Sequence, residues 1–218
     1  IGGKTGINHR LGKNLIGTFK QPHAVIIDTD YLQTLPLKEY LSGMAEVVKY
    51  GAINNLNFLR WLNRNSENLL KKDKKTILHA VNISVREKIN IVQKDEKESG
   101  IRAVLNFGHT LGHAIETSLN YKNLLHGEAV SIGMVFAATI SVDINNMSID
   151  QFNLIDSTLQ KLNLPTSVPT KIKANELIKH IRYDKKIKDG KNNFVLLRNI
   201  GKPHITNSLS AKYINGLI

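Results

Sequence analysis

The chain has 218 residues, 41% of them hydrophobic and 22% charged, with a formal net charge of +12. That composition belongs to a globular protein with a sizeable core and excludes a disordered tail, a collagen-like fibre and a coiled-coil rod. Cysteine is absent, which excludes a disulfide framework, a thiolate metal site and a cysteine nucleophile. Any metal must then be held by His, Asp or Glu.

Residues 1–22 are rich in Gly, Lys and Asn and read as an ordered loop. The apolar run Ala24-Val25-Ile26-Ile27, bounded by Pro22 and Asp28, predicts a short buried strand. Helical periodicity then takes over. Thr34-Leu35-Pro36 reads as a helix start, with Thr34 as cap and Pro36 in the first turn, and the helix continues through Glu39, Met44, Val47 and Val48 toward Tyr50. Apolar residues at three- and four-residue steps predict helices over about 56–70 and 75–94, with Gly100 ending the second. Further helices are expected over 102–119 and 127–142, joined by a loop through Tyr121 and Asn123, then over 149–162 and 174–182. Phe194 to Leu197 and His204 to Thr206 predict a small hairpin around Gly201-Lys202-Pro203. The expected fold is mainly α, with a little β at each end.

The most apolar stretch, Ala129 to Val142, is shorter than the roughly 20 residues a membrane span needs. No secretory signal pattern opens the chain, so a cytoplasmic protein with no membrane partner is expected. The first residue is Ile1, followed at once by Gly2-Gly3-Lys4-Thr5-Gly6, which predicts a start inside a larger protein. Lysine is spread along the chain among much Asn and Ile, and its clearest run, Lys71-Lys72-Asp73-Lys74-Lys75, reads as a solvated helix junction. Aromatics are 6% of residues and none interleaves with a basic run, so no nucleic-acid partner is expected.

The densest chemistry lies between Arg102 and Glu116. His109 and His113 stand four apart and share a helical face, a spacing that a metal can use. Asn106 and Arg102 step back along the same side, so a continuous helix presents Arg, Asn, His and His in one stripe. His126-Gly127-Glu128 opens the next helix, where Gly permits close approach of a ligand and Glu128 complements the dipole as a capping residue. Glu46 and Lys49, three apart on an otherwise apolar helix, read either as site residues or as an intrahelical ion pair. Gly2-Gly3-Lys4 and Gly12-Lys13-Asn14 are Gly-rich and suit an anion, although no nucleotide-binding fingerprint is present. Asp184-Lys185-Lys186 reads as a solvated charged run.

Taken together, these strings resemble the 3-dehydroquinate synthases, sugar-phosphate cyclases of the shikimate pathway. The resemblance runs in order through residues 2–8, 11–17 and 27–30, then through Thr34-Leu35-Pro36 and Gly43-Met44-Ala45-Glu46-Val47-Val48-Lys49-Tyr50-Gly51. It continues through Asp95-Glu96, Arg102 to Glu116, His126 to Val130, and Asp184-Lys185-Lys186. It implies an NAD- and divalent-metal-dependent lyase, using zinc or cobalt, that converts 3-deoxy-D-arabino-heptulosonate 7-phosphate to 3-dehydroquinate and phosphate on the route to chorismate and the aromatic amino acids. A homodimer is implied as well.

By residue, the resemblance implies Glu46, His109 and His126 as metal ligands, in place of the His109–His113 pairing that spacing favours. His113 becomes a substrate-contacting, proton-transfer residue. Lys49, Arg102 and Asn106 match catalytic substrate contacts, and Lys4, Asn14, Lys88 and one of Lys185 and Lys186 match further substrate contacts. Lys13, Thr34, Leu35 and Glu39 match positions near the nicotinamide cofactor. The expected organisation is the end of an incomplete α/β NAD-binding domain over residues 1–33, then a helical metal- and substrate-binding domain over 34–218. The family's Gly-rich cofactor loop precedes the Gly-Gly-Lys string and is missing here, so no activity is expected from this chain alone. Another sugar-phosphate cyclase and a non-catalytic metal-binding remnant are the competing readings. An iron-type alcohol dehydrogenase calls for an Asp with a His four residues later, where this chain has Glu46 and Tyr50.

Overall fold

The computed structural model describes residues 1–9, 12–182 and 193–217. The first element is an antiparallel hairpin of β1 (Lys4–His9) and β2 (Gly12–Phe19), with Lys4 opposite Phe19 and Ile7 opposite Ile16. The expected loop over residues 1–22 is therefore largely sheet. Its Gly-rich strands lack the alternation by which strands are recognised, and Ile7 and Ile16 are both exposed. The expected buried strand at 24–27 is corrected too: these residues form neither strand nor core, and Ile26 is 94% exposed. A strand needs a neighbouring strand for its backbone groups, and none of the described residues pairs with this run.

A helical assembly follows. A short turn of helix, α1 (Tyr31–Thr34), leads through Pro36 into α2 (Leu37–Asn54). Pro36 is the N-cap of α2, while the Thr34 hydroxyl bonds back to the Tyr31 carbonyl, so Thr34 closes one helix rather than capping the next. The segment expected as one helix over 56–70 is split at Asn65 into α3 (Leu56–Arg64) and α4 (Ser66–Leu70). Asn55 caps α3 by accepting from the Phe58 N–H at 3.0 Å. α5 (Lys74–Lys94) starts at Asp73, which accepts from the Thr76 N–H at 2.8 Å. The long helices α7 (His126–Asn145) and α8 (Ile149–Lys161) follow, then α9 (Ala174–Arg182), with α6 (His109–Ser118) preceding them. The predicted C-terminal hairpin is present as β3 (Phe194–Asn199) and β4 (Lys202–Thr206), ahead of the short α10 (Ala211–Asn215).

α7 is the central element. It packs against α6, α2, α8 and β3 and buries Ala129, Val130, Ile132, Met134, Phe136 and Ile140. At 20 residues it exceeds the stretch read from sequence and is long and apolar enough to cross a membrane by length and composition, but 67% of its 18-residue apolar window is buried within the fold. Two buried serines on this apolar helix need partners. Ser141 has them: its hydroxyl donates to Ala137 O at 2.7 Å and accepts the Leu197 N–H at 2.9 Å, which ties β3 to α7.

The region that matters for function departs most from the periodic reading. Residues 101–106 form a 3-10 turn, and the chain then turns through Phe107 and Gly108 before α6 begins. Gly108 has φ +80°, and a Cβ there would lie 2.6 Å from Met134 Cγ and 2.7 Å from the Val130 carbonyl. The expected single helix over 102–119 is broken because α7 lies against this corner and only glycine allows the turn. Arg102 and Asn106 thus leave the stripe that carries His109 and His113.

Candidate metal and anion site

Three helices converge on one point. Glu46 projects from the middle of α2, His109 is the first residue of α6, and His126 is the first residue of α7. Each offers a ligand atom within 4.8 Å of the other two. His109 Nε2 is 3.5 Å and His126 Nε2 is 3.8 Å from Glu46 Oε1. The approach of α7 to α2 depends on Gly127: its N–H donates to the Ser42 hydroxyl at 3.0 Å, and a Cβ would fall 1.8 Å from the Ser42 carbonyl oxygen.

Hydrogen bonds set both imidazoles. His109 Nδ1 is 3.2 Å from the Phe107 carbonyl, and His126 Nδ1 is 3.2 Å from Glu116 Oε2. Each contact suits an Nδ1–H donor, the arrangement in which Nε2 presents a lone pair toward Glu46. Burial, followed by the Lys49 charge, holds the His109 pKa well below its usual value and keeps the ring neutral. Glu46 Oε1 is buried and has no hydrogen-bond partner among the described residues. A carboxylate oxygen facing two imidazole lone pairs is repulsive without a cation and suited to one, since one carboxylate and two imidazoles form a known ligand set for zinc. The residues present therefore fit a divalent ion.

Cations surround this point. Lys49, 3% exposed, pairs with the other Glu46 oxygen. Lys88 on α5 has its pKa lowered, first by burial and then by the charge of Lys49, with Glu46 opposing. Arg102 is buried; it donates to Gly2 O at 2.7 Å and to Glu96 O, and it lies over the Phe19 ring. Its backbone N–H is held by Asp95, which also accepts from the amides of Ser99 and Gly100. Those three N–H bonds, led by the one from Arg102, lower the Asp95 pKa. Asn106 donates to Glu98 at 3.2 Å, and Glu98 also pairs with Lys4 from the hairpin. Lys49 and Arg102 both act on Lys88 as like charges, an excess of positive charge that suits an anion.

The family profile described as 3-dehydroquinate synthase C-terminal matches residues 43–187, and the N-terminal profile of the same enzyme matches residues 1–42. The chain belongs to the 3-dehydroquinate synthase family. It is 50% identical over 201 residues to the 3-dehydroquinate synthase of Geotalea uraniireducens, covering 92% of this chain and 56% of that protein. It is 44% identical over 218 residues to that of Aliivibrio fischeri, covering 100% and 60%. The chain thus spans a little under two thirds of these dehydroquinate synthases. Among solved structures it resembles ValA, the 2-epi-5-epi-valiolone synthase of Streptomyces hygroscopicus with NAD+ and Zn2+ bound, with TM-score 0.89 and 24% identity over 100% of this chain and 60% of that one. It also resembles a 2-deoxy-scyllo-inosose synthase complexed with carbaglucose-6-phosphate, NAD+ and Co2+, with TM-score 0.84 and 25% identity over 99% and 61%.

Within this dehydroquinate synthase family member, the structure brings together Glu46, His109 and His126, with Lys49 and His113 beside them. The His113 ring lies 5.5 Å from that of His109 and 6.1 Å from that of His126, centre to centre. Arg102, Asn106 and Lys4 meet on the loop of residues 95–102 rather than on the face of α6. Thr34, Leu35 and Glu39 sit where α1 passes into α2, with Thr34 and Glu39 exposed. The side chains of Lys13 and Asn14, and the whole of Lys185 and Lys186, lie outside the described residues. Periodicity alone assigned no role to Glu98, Asp95 or Glu116. Glu116 carried a usable signal: an acidic side chain three residues from His113 on an apolar helix, 5% exposed in the fold, needs a partner.

Proposed function

We propose that this chain is the metal- and substrate-holding part of a 3-dehydroquinate synthase, which eliminates phosphate from 3-deoxy-D-arabino-heptulosonate 7-phosphate and closes the carbocycle of 3-dehydroquinate. The observation that carries the proposal is the orphaned Glu46 oxygen facing the Nε2 atoms of His109 and His126, with Lys49 on the other carboxylate oxygen. Glu46, His109 and His126 would hold a zinc or cobalt ion, which would supply charge stabilisation at a substrate oxygen, and NAD in the whole enzyme would supply hydride chemistry.

The chain's own residues do the rest. Lys49 and Lys88 hold the phosphate and carboxylate of the substrate against the ligand helices, and their crowding relaxes when those anions bind. Arg102 and Asn106 shape the substrate cavity from the 95–102 loop, and Lys4 reaches it from the hairpin. Asn14 and one of Lys185 and Lys186 complete the substrate contacts. His113, next to both ligand imidazoles, moves the proton at the substrate oxygens. Thr34, Leu35, Glu39 and Lys13 border the nicotinamide. Residues 1–33 are read as the close of the cofactor domain and 34–218 as the metal domain, in a cytoplasmic enzyme.

A chimera tests this directly. The unmatched N-terminal segment of the Geotalea relative, joined ahead of Ile1, is assayed for phosphate release with NAD+ and Zn2+. Release that is lost on Glu46→Gln is expected. A folded, NAD-binding chimera that leaves this substrate intact overturns the proposal.

A further inference from the structure

A second set of donors lies on the far side of His126. His113, Glu116 and His126 each offer a ligand atom within 4.8 Å of the other two. His113 and Glu116 stand three apart on α6 and so share a face. The His126 ring belongs to both sets, one through each nitrogen: Nε2 lies 3.8 Å from Glu46 and Nδ1 lies 3.2 Å from Glu116. We propose that His113, Glu116 and His126 Nδ1 form a second, weaker zinc site that fills after the Glu46 site, with the His126 ring bridging the two ions.

Three observations support it. Two imidazoles and one carboxylate are a donor set that zinc accepts. Ligand atoms each about 2.1 Å from a tetrahedral ion stand about 3.4 Å apart, and the His126–Glu116 contact already has nearly that span. Glu116 is 5% exposed, so its charge lies where a divalent ion interacts with it strongly. The exchange balances simply. The Nδ1 proton of His126 leaves to solvent, its lone pair becomes a ligand, and the Glu116 oxygen that had accepted the N–H becomes another.

The site has a regulatory consequence that rests on the proposed function: an ion on His113 removes the proton-transfer residue, so zinc in excess suppresses turnover. The site itself does not depend on that reading. Zinc bound by the whole chain is measured by equilibrium dialysis over a range of free Zn2+. Two equivalents are expected, the second roughly tenfold or more weaker because it meets the charge of the first. Glu46→Gln abolishes the tight equivalent, whereas His113→Ala and Glu116→Gln each abolish the weak one. Glu116→Gln leaves an acceptor for the His126 N–H, and His113 is only partly buried, so both variants keep the fold. A single equivalent lost on Glu46→Gln overturns this inference and leaves the first site intact. A second equivalent that survives both α6 variants reflects surface histidines and overturns it as well. A single equivalent sensitive only to His113→Ala overturns this inference and the assignment of the first site together.

Discussion

The hairpin end and the helical body of this chain are stabilised in different ways. In the body, α2, α3, α7 and α8 close over side chains such as Phe58, Leu59, Met134 and Ile140, all at most 2% exposed. In residues 1–27 most of the described large apolar side chains face outward: Ile7 is 65%, Ile16 56% and Ile26 94% exposed. What joins the two is polar. Arg102 grips the Gly2 carbonyl, Gln21 donates to Glu96 at 3.1 Å, and Lys4 pairs with Glu98. Hydrophobic burial contributes about 25 cal/mol per Å², whereas exposed ion pairs contribute about 0–1 kcal/mol. The body therefore holds its own shape and the cluster of Glu46, His109 and His126. The hairpin holds its position through a few directed bonds that converge on the 95–102 loop.

The largest effect that separates the two regions is core truncation. Leu59→Ala is expected to cost about 2–5 kcal/mol in urea unfolding, against about 0.5 kcal/mol or less for Ile26→Ala. Equal costs would mean that the N-terminal run is packed as firmly as the body. Next comes the seam between α2 and α7. Gly127→Ala forces a methyl group against the Ser42 carbonyl, so it should cost about 1–3 kcal/mol and weaken metal binding together with stability. A variant that binds metal normally would show that His126 does not depend on this close approach.

The junction itself gives an effect of similar size but local reach. Arg102→Met removes the donors to Gly2 O and Glu96 O, worth about 1.5–3 kcal/mol for hydrogen bonds from a charged group. Amide exchange should quicken across β1 and β2 while the amides of α7 stay protected. Uniform quickening would place Arg102 in the core of the body instead. The smallest effect is that of pH. The folded-state pKa of His109 lies below its unfolded value, so between the two the unfolded chain binds more protons and stability rises with pH. That contribution is complete above about pH 6.5 and falls away as acid reaches the folded pKa. In His109→Gln the slope on this limb should shrink, whereas an unchanged slope would place the titration elsewhere.

Sequence pattern located most of the body, because α2, α5 and α8 each bury an apolar face and α7 is apolar nearly all round. It failed where tertiary contact decides the local conformation. The corner at Gly108 exists because α7 occupies the space that a continued helix would need, and nothing within a few residues of Gly108 records that. The run at 24–27 has strand composition but no strand beside it. The hairpin at 4–19 was missed because its register is set by backbone pairing with little side-chain alternation. The same limit applied to the site. A helical period relates His109 only to His113, the neighbour on its own face, whereas Glu46 and His126 approach from two other helices. The family resemblance supplied that set, and packing of the glycine at 127 explains how the chain reaches it.

The central claim is that Glu46, His109 and His126 act as one metal centre built by the helical body. Titration of the whole chain with Zn2+ in a calorimeter, repeated on Glu46→Gln, His109→Ala and His126→Ala, tests it most directly. The account predicts a tight equivalent in the parent chain that weakens by more than the 10–100-fold expected of an outer-shell partner, in each of the three variants. Retention of parent affinity by any one of them would contradict it.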